Sequence, residues 1–392
     1  MQEYKYPLAT TTWDDAEIIA MHEVINSRNF TMGSRVKRFE SEFAEMFDAS
    51  HTVMSNSGSS ANLLALGAIR YSSFGEDKSK TEVIVPAVSW STTYFPITQM
   101  GYTLKFVDID LDTLNASASS IEAAIDKKTA GIVAVNLLGN PSDLEKLREL
   151  ADAHQIFLIE DNCESLGARF NGKMAGSFGH VGTFSSFFSH HISTMEGGLS
   201  VTSNLELAQV MTSLRAHGWT RDLPEQNHVF NKSGDNFHDS FRFVLPGYNV
   251  RPLELEGAIG SEQLKKVPAI IEGRRKNHKT FASLMQEFPA IKTQSETGQS
   301  SWFGFSLILT GEAAGNRAKL IEILTKNQIA CRPIVAGNFT RNPVMRHLKH
   351  CHIPNLANAD TVDDQGLFIG NHHYEMGDEF GLLKQSLREF LN

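Results

Sequence analysis

The stretch TFSSFFSHHISTMEGGLSVT, from Thr183 to Thr202, sets two adjacent histidines, His190 and His191, between an apolar run and a Gly-Gly turn. It closes a series. Short apolar, β-branched runs occur at 81–87 (TEVIVPA), 103–110 (TLKFVDID), 130–139 (AGIVAVNLLG), 155–163 (QIFLIEDNC), 181–187 (VGTFSSF) and 198–202 (GLSVT). Between several of them lie amphipathic segments such as SSIEAAIDKK and PSDLEKLRELADAHQ. That alternation predicts βαβ units around a largely parallel sheet, an α/β fold. Runs such as EVIVPA show no clean alternation of apolar and polar residues, as expected of strands covered by helices on both faces.

From about Pro252 the texture changes. Two helical patterns, LELEGAIGSEQLKKV and AIIEGRRKNHKTFASLMQEF, precede the strand candidate SSWFGFSLILT, the helix NRAKLIEILTKNQ and the strand IACRPIV. This reads as a smaller α+β domain, so the chain divides into a large domain over 1–255 and a small one over 256–392. The polar segment 221–241 has no periodicity and is long for a connection inside a compact domain, which suggests a functional loop or one that crosses to a partner chain. The basic run RRKNHK (274–279) falls in a helical pattern and reads as a solvated helix face.

Composition narrows the function classes. With 36 Lys and Arg against 45 Asp and Glu, the net charge is −9, leaving no basic surplus for nucleic acid or an anionic membrane surface. No apolar run reaches the length of a membrane span, and the first twenty residues lack the pattern of a secretory signal, so a cytoplasmic protein is expected. Three scattered cysteines, Cys163, Cys331 and Cys351, suit neither a disulfide framework nor a four-thiolate metal or iron–sulfur site.

Four features point to one kind of ligand. SNSGSSANLLALGAI (55–69) runs from a small-residue turn into a helix, so the amides near Gly58 and Ser59 and the helix dipole form a phosphate cradle. By itself that pattern is equally a helix cap. The strand IFLIEDNCES ends in Asp161, at the sheet edge where open α/β folds bind ligands, although a lone aspartate there is also an ordinary cap. Trp90 follows another strand end and offers a flat platform for a ring. Together with the Ser-rich strand before the Gly-Gly turn, these match the needs of pyridoxal phosphate: a phosphate anchor, a ring platform and an anion beside the pyridine nitrogen.

The motifs EDNCESLGA, TFSSFFSHHISTMEGG and LPGYNVRPLELEGAIG resemble those of the fold-type-I pyridoxal-phosphate enzymes that act on nucleotide-linked keto sugars, the DegT/DnrJ/EryC/StrS family. The likeness extends from about Tyr6 to the last helix. It implies an aspartate aminotransferase-like architecture, with a mixed, mostly parallel seven-stranded sheet and a smaller α+β C-terminal domain. In the family's aminotransferases the strand motif reads serine, four residues, then the lysine that binds the cofactor, with the first glycine of a Gly-Gly pair seven residues later. Counting back from Gly197 lands on His190, with Ser185 at the serine position. A histidine in place of that lysine marks the family's 3-dehydratases.

The resemblance therefore implies an enzyme of deoxysugar biosynthesis that uses pyridoxal and pyridoxamine 5'-phosphate to remove a C3 hydroxyl. Its substrate would be a GDP-linked 4-keto-6-deoxyhexose, its cofactor recharged by L-glutamate with release of ammonia. No iron–sulfur reductase is needed, and no metal is expected. His190 is the expected acid/base, and Asp161 the partner of the ring nitrogen. Gly58, Ser59, Trp90, Glu164, Ser185 and Asn249 would hold the cofactor, with Asn249 reaching the phosphate of a neighbouring subunit. His217, Arg221, Arg251 and Arg332 would meet glutamate or sugar, Arg251 clamping the glutamate carboxylate. Such sharing implies a homodimer.

Other readings stay open. The chain could be a nucleotide-sugar aminotransferase whose lysine lies elsewhere, a dehydratase of another nucleotide-linked 4-keto-6-deoxyhexose, or an idle cofactor-binding paralogue. Ala330 stands where the resemblance implies a glutamate, which leaves the sugar's identity open. A metal site on His190, His191, His180 or His217 finds no carboxylate at a typical spacing. His191 is expected to point away from His190, because side chains alternate along an extended backbone.

Overall fold

The computed structural model describes residues 4–392. Its strands in chain order are β1 (His51–Ser55), β2 (Glu82–Pro86), β3 (Thr103–Val107), β4 (Thr129–Val135), β5 (Phe157–Asp161), the hairpin β6 (Arg169–Phe170) and β7 (Lys173–Met174), β8 (Val181–Ser185), β9 (Gly198–Thr202), β10 (Ile291–Lys292), β11 (Gly304–Leu309), β12 (Cys331–Arg332) and β13 (Gly366–Gly370). Seven of them form one sheet in the order β1-β9-β8-β5-β4-β2-β3. The pairs from β8 through β3 are parallel, while β9 runs antiparallel to both β8 and β1. The sheet is mixed, mostly parallel and seven-stranded, as expected. Its edge strand β1, HTVMS, was not legible in the sequence, since five residues carry too little pattern.

Both faces of the sheet are buried, and the pleat sorts its residues between two layers. Val83, Val85, Val133, Phe157, Ile159 and Val181 pack into one apolar cluster with the helices Gly58–Arg70, Ser91–Gln99 and Leu205–Arg215. Ile84, Ile132, Ala134 and Leu158 face the other way, against Ile121 and the helix Leu144–His154. All seven residues of β4 and all five of β5 are buried, which is why these strands show no alternation.

The two helical patterns after Pro252 are one helix, Glu254–Met285, of 32 residues. Pro268 does not break it. The proline lies on the exposed face, where the carbonyl four residues back can turn to water, and buried side chains hold the helix on either side of it. Leu264, Val267, Ile270 and Ile271 pack with Val36, Phe39 and Phe43 of the large domain, whereas Phe281 and Met285 enter the core of the smaller one. The expected division at 255/256 falls in this helix's first turn, and the two cores separate near its middle.

The smaller core surrounds the antiparallel sheet β10-β11-β13-β12. It takes in Tyr6 from the chain's beginning, whose hydroxyl donates to the Gly370 carbonyl at 2.6 Å. Ile334, Phe339 and Val362 return to the large cluster, Phe339 stacking on Tyr94 at 4.1 Å. The basic run 274–279 is not a solvated face. Arg274 and Asn277 are buried, and Lys276 of this run points out, because a helix turns successive residues through about 100°.

Candidate active site

The carboxyl ends of β2, β4, β5 and β8 open on one side into a cavity of about 290 Å³. Its walls include Gly58, Ser59, Trp90, Asp161, Glu164, Ser185, His190 and Arg332, eight of the twelve residues expected from the sequence. They come from five separate stretches of chain.

At one end the helix Gly58–Arg70 starts, its first amides lacking intrahelical acceptors as at any helix start. The Ser57 hydroxyl accepts only from the Ser60 amide, at 3.1 Å. Two glycines permit this crowding. A Cβ on Gly58 would lie 2.6 Å from the Ser185 Cβ, and one on Gly198 would collide with the Ser57 carbonyl. The end of β8 and the helix start therefore meet, with Ser185 beside the cradle.

Asp161 ends β5 and is aimed by three donors. Its Oδ2 accepts from Asn62 Nδ2 at 2.9 Å and Thr93 Oγ1 at 2.7 Å, and its Oδ1 from the Cys163 amide at 3.2 Å. Thr183 Oγ1 in turn fixes Asn62 by donating to its Oδ1. Asn62 and Thr93 were missed from the sequence, and only their convergence on Asp161 reveals them. The preceding acid, Glu160, points away and is satisfied by the amides of Gly176, Phe178 and Gly179. Trp90, 55% exposed at the start of the helix Ser91–Gln99, stands on the wall as a platform.

His190 lies in a turn and is partly open to the cavity. Its Nδ1 is buried without a partner among the described residues, and so is Nε of Arg332. Removal from water, with the Arg332 charge as the second cause, pushes the His190 pKa down to about 4 and keeps the ring neutral. Burial raises the pKa of Glu164, an effect partly offset by Arg332, whose Nη2 stands 4.0 Å from Glu164 Oε1. Glu164 also accepts from the Leu138 amide at 3.0 Å. Phe303 and Phe187 were also missed; the Phe303 ring lies 5.3 Å from His190.

His191 is buried, as a structural neighbour should be, though not for the expected reason: the backbone at 190–191 is a bend rather than a strand. Ala330 is buried beneath the wall and bonds through its amide to the Tyr6 carbonyl at 2.8 Å.

His217, Arg221, Asn249 and Arg251, the remaining four expected residues, do not line this cavity within one chain. They gather on an exposed ridge. Arg221 lies over the Trp219 ring at 4.0 Å and over Phe241 at 4.7 Å, His217 meets Trp219 edge-on at 5.2 Å, and Arg251 Nε donates to Asn249 Oδ1 at 3.0 Å. Phe237, Phe241 and Phe243 stand open beside them, 78%, 60% and 61% exposed.

Residues 12–380 match the model of the DegT/DnrJ/EryC1/StrS aminotransferase family. The chain belongs to that family. Among DegT/DnrJ/EryC1/StrS relatives, GDP-4-keto-6-deoxy-D-mannose 3-dehydratase of Yersinia pseudotuberculosis is 51% identical over 386 residues, covering 97% of this chain and 98% of its own. Two solved structures of GDP-4-keto-6-deoxymannose 3-dehydratase superpose with a TM-score of 0.95 at 49% identity, covering 98% of this chain and all of theirs. One holds a trapped PLP-glutamate geminal diamine; the other is a histidine-to-asparagine variant with bound GDP-perosamine. The fold is therefore that of the PLP-dependent aminotransferases.

Proposed function

We propose that the protein is a PLP- and PMP-dependent 3-dehydratase that converts GDP-4-keto-6-deoxy-D-mannose to its 4-keto-3,6-dideoxy product, with L-glutamate recharging the cofactor and ammonia released. The observation that carries this is His190, a neutral base with a partnerless nitrogen where the family's aminotransferases place a lysine. Imidazole forms no lasting bond to a carbonyl cofactor, so the chain offers a base without a tether. The alternative of amine transfer needs a lysine at the cavity, and the lining contains none.

The chain's residues fit the cofactor. The start of the helix at Gly58 and Ser59, with Ser185 beside it, suits a phosphate; Trp90 is the platform; and Asp161, held by Asn62 and Thr93, presents an anion to a protonated ring nitrogen. The partnerless Nδ1 of His190 and Nε of Arg332 mark a lining that lacks its polar complement in the chain alone. When bound, the cofactor supplies an amine that condenses with a 4-keto group and a ring that takes up electrons.

His190 supplies the proton transfers. Neutral at working pH, its ring takes a proton beside the cavity and then, as imidazolium, hands it to the departing C3 hydroxyl. Glu164 and Arg332 hold charge of opposite sign on the sugar side, Arg332 being suited to an anionic or hydroxylated ligand. Arg251 binds the glutamate carboxylate and Asn249 the cofactor phosphate from a second subunit, so each site is completed by two chains. The exposed aromatic and arginine ridge at 217–253 supports this homodimer, since such composition is typical of interface cores. Placement in the cytoplasm and in colitose-type O-antigen synthesis belongs to the same reading; among the described residues no helix is long and apolar enough to cross a membrane.

The test is ammonia release with glutamate and GDP-, CDP- or dTDP-linked 4-keto-6-deoxyhexoses. Release with the GDP-mannose derivative and weak or no release with the others is expected. Formation of a 4-amino sugar without ammonia would replace this reading with amine transfer.

A further inference from the structure

The turn that carries His190 is closed upon itself. Ser186 N–H donates to the Gly197 carbonyl at 2.9 Å, Phe188 N–H to Met195 at 3.2 Å and His190 N–H to Phe187 at 2.9 Å. Among the described residues, two tie the turn to the body: Ser193, whose N–H donates to Gln263 Oε1 at 3.0 Å and whose carbonyl accepts from Trp13 Nε1 at 2.9 Å, and, next to His190, His191, whose Nε2 lies 3.2 Å from the carbonyl oxygen of Ser301. A carbonyl only accepts, so Nε2 carries the proton. Burial and the charge of Arg274 hold the His191 pKa well below its usual value, so this donor is not exchanged for an imidazolium over the working range.

The acceptor sits on a strap, residues 300–303, that is fixed from several directions. Ser301 and Phe303 donate their amides to the Gly139 and Leu138 carbonyls, each at 2.9 Å. The Phe303 carbonyl accepts from buried Arg274 at 2.9 Å and the Trp302 carbonyl from Asn371 at 2.8 Å, while the Trp302 ring stacks on His278 at 3.4 Å. Trp302 has φ +48°, a conformation a bulky residue adopts only when its surroundings dictate it. The Phe303 ring touches both histidines, its centroid 5.3 Å from His190 and 5.6 Å from His191. The far side of the strap reaches Glu164 through the Leu138 amide.

We propose that His191 is a positioning residue for His190: its bond to Ser301 pins the active-site turn to the 300–303 strap and thereby sets the height and tilt at which His190 presents its ring. Without that bond the strap keeps its other ties and the turn keeps those of Ser193, to Gln263 and Trp13, but it loses the polar anchor adjacent to His190. Ile192, buried in an apolar cluster, still holds the turn in place roughly but imposes no direction on the His190 ring. A misplacement of about 1 Å at a reacting group can cost on the order of 10²-fold in rate.

The proposal rests on His190 as the acid/base, and the experiment separates the two. His191→Phe keeps bulk and removes the donor; His191→Gln keeps a donor near the Nε2 position. For each, kcat and KM for sugar and glutamate are measured alongside the ring resonances of His190 in the cofactor-free protein across pH. His191→Phe is expected to lower kcat about 10- to 100-fold with KM changed less than about threefold, and to shift and broaden the His190 resonances. His191→Gln should recover most of both signals. Wild-type kcat and an unchanged His190 spectrum in His191→Phe would overturn the proposal, as would equal losses in both variants that follow their melting temperatures. His190→Asn is run in parallel: if it still dehydrates, the acid/base reading fails, whereas if it is inactive and His191→Phe is normal, only the positioning role fails.

Discussion

The cavity and the ridge hold the same kinds of residue in opposite states. In the cavity the acids are aimed, Asp161 by Asn62, Thr93 and the Cys163 amide and Glu164 by the Leu138 amide, while His190 Nδ1 and Arg332 Nε are buried with no partner among the described residues. On the ridge, Arg221 and Arg251 rest against aromatic faces open to solvent, and Asn249 bonds only to its neighbour Arg251. A buried group must have its partners in place, while an exposed one can leave them to water or to another chain. On the proposed function, the cavity would be the chemical half of a site and the ridge the half offered to a second chain.

Breaking the chemical half should have the largest effect. His190→Asn is expected to lower ammonia release by about 10²- to 10⁴-fold while nucleotide-sugar binding, followed by calorimetry, changes little. Asp161→Ala, which removes the anion proposed to face the ring nitrogen, should cost on the order of 10²-fold or more in turnover at saturating cofactor. Near-full turnover would remove Asp161 from the mechanism.

The ridge is tested by mixing. If His190 of one chain works with Arg251 of another, His190→Asn and Arg251→Ala are each inactive as homodimers, and an equal mixture refolded together recovers about a quarter of wild-type activity. No recovery would place both residues in a site within one chain. Arg251→Lys alone should raise KM for glutamate by about tenfold and leave the sugar's KM unchanged, because an ammonium cannot match the two-pronged guanidinium.

The smallest effect is on stability with pH. His180, His190, His278 and His372 each have a folded pKa pushed down to about 4 by burial, below the usual 6.5. Between those values the unfolded chain binds more protons, so the contribution of these four histidines to stability falls as pH drops from about 6.5 to about 4 and changes little below. Melting temperatures across that window should decline, and by less in His180→Gln than in wild type.

How far the site was legible follows from distance along the chain. The cradle at Gly58 and Ser59, the aromatic Trp90 and the strand-end Asp161 are local patterns, and the resemblance of short motifs to the family's supplied Glu164, Ser185, His190 and Arg332. Asn62 with Thr93, and Phe303 with its strap, act through partners remote in sequence, and nothing in their own neighbourhoods announces them. Pro268 misled for a related reason. Its local preference argues for a helix break, whereas packing on both sides of it outweighs that preference.

Periodicity was enough to specify the α/β sheet, and the resemblance of short motifs to the family's put His190 in a lysine's register and named the candidate cofactor residues, because each depends on contiguous residues. Which way His190 faces was decided only by the folded chain. The bond from His191 to Ser301, the strained Trp302 and the buried Arg274 join segments a hundred residues apart in places, and only close packing brings such groups within reach.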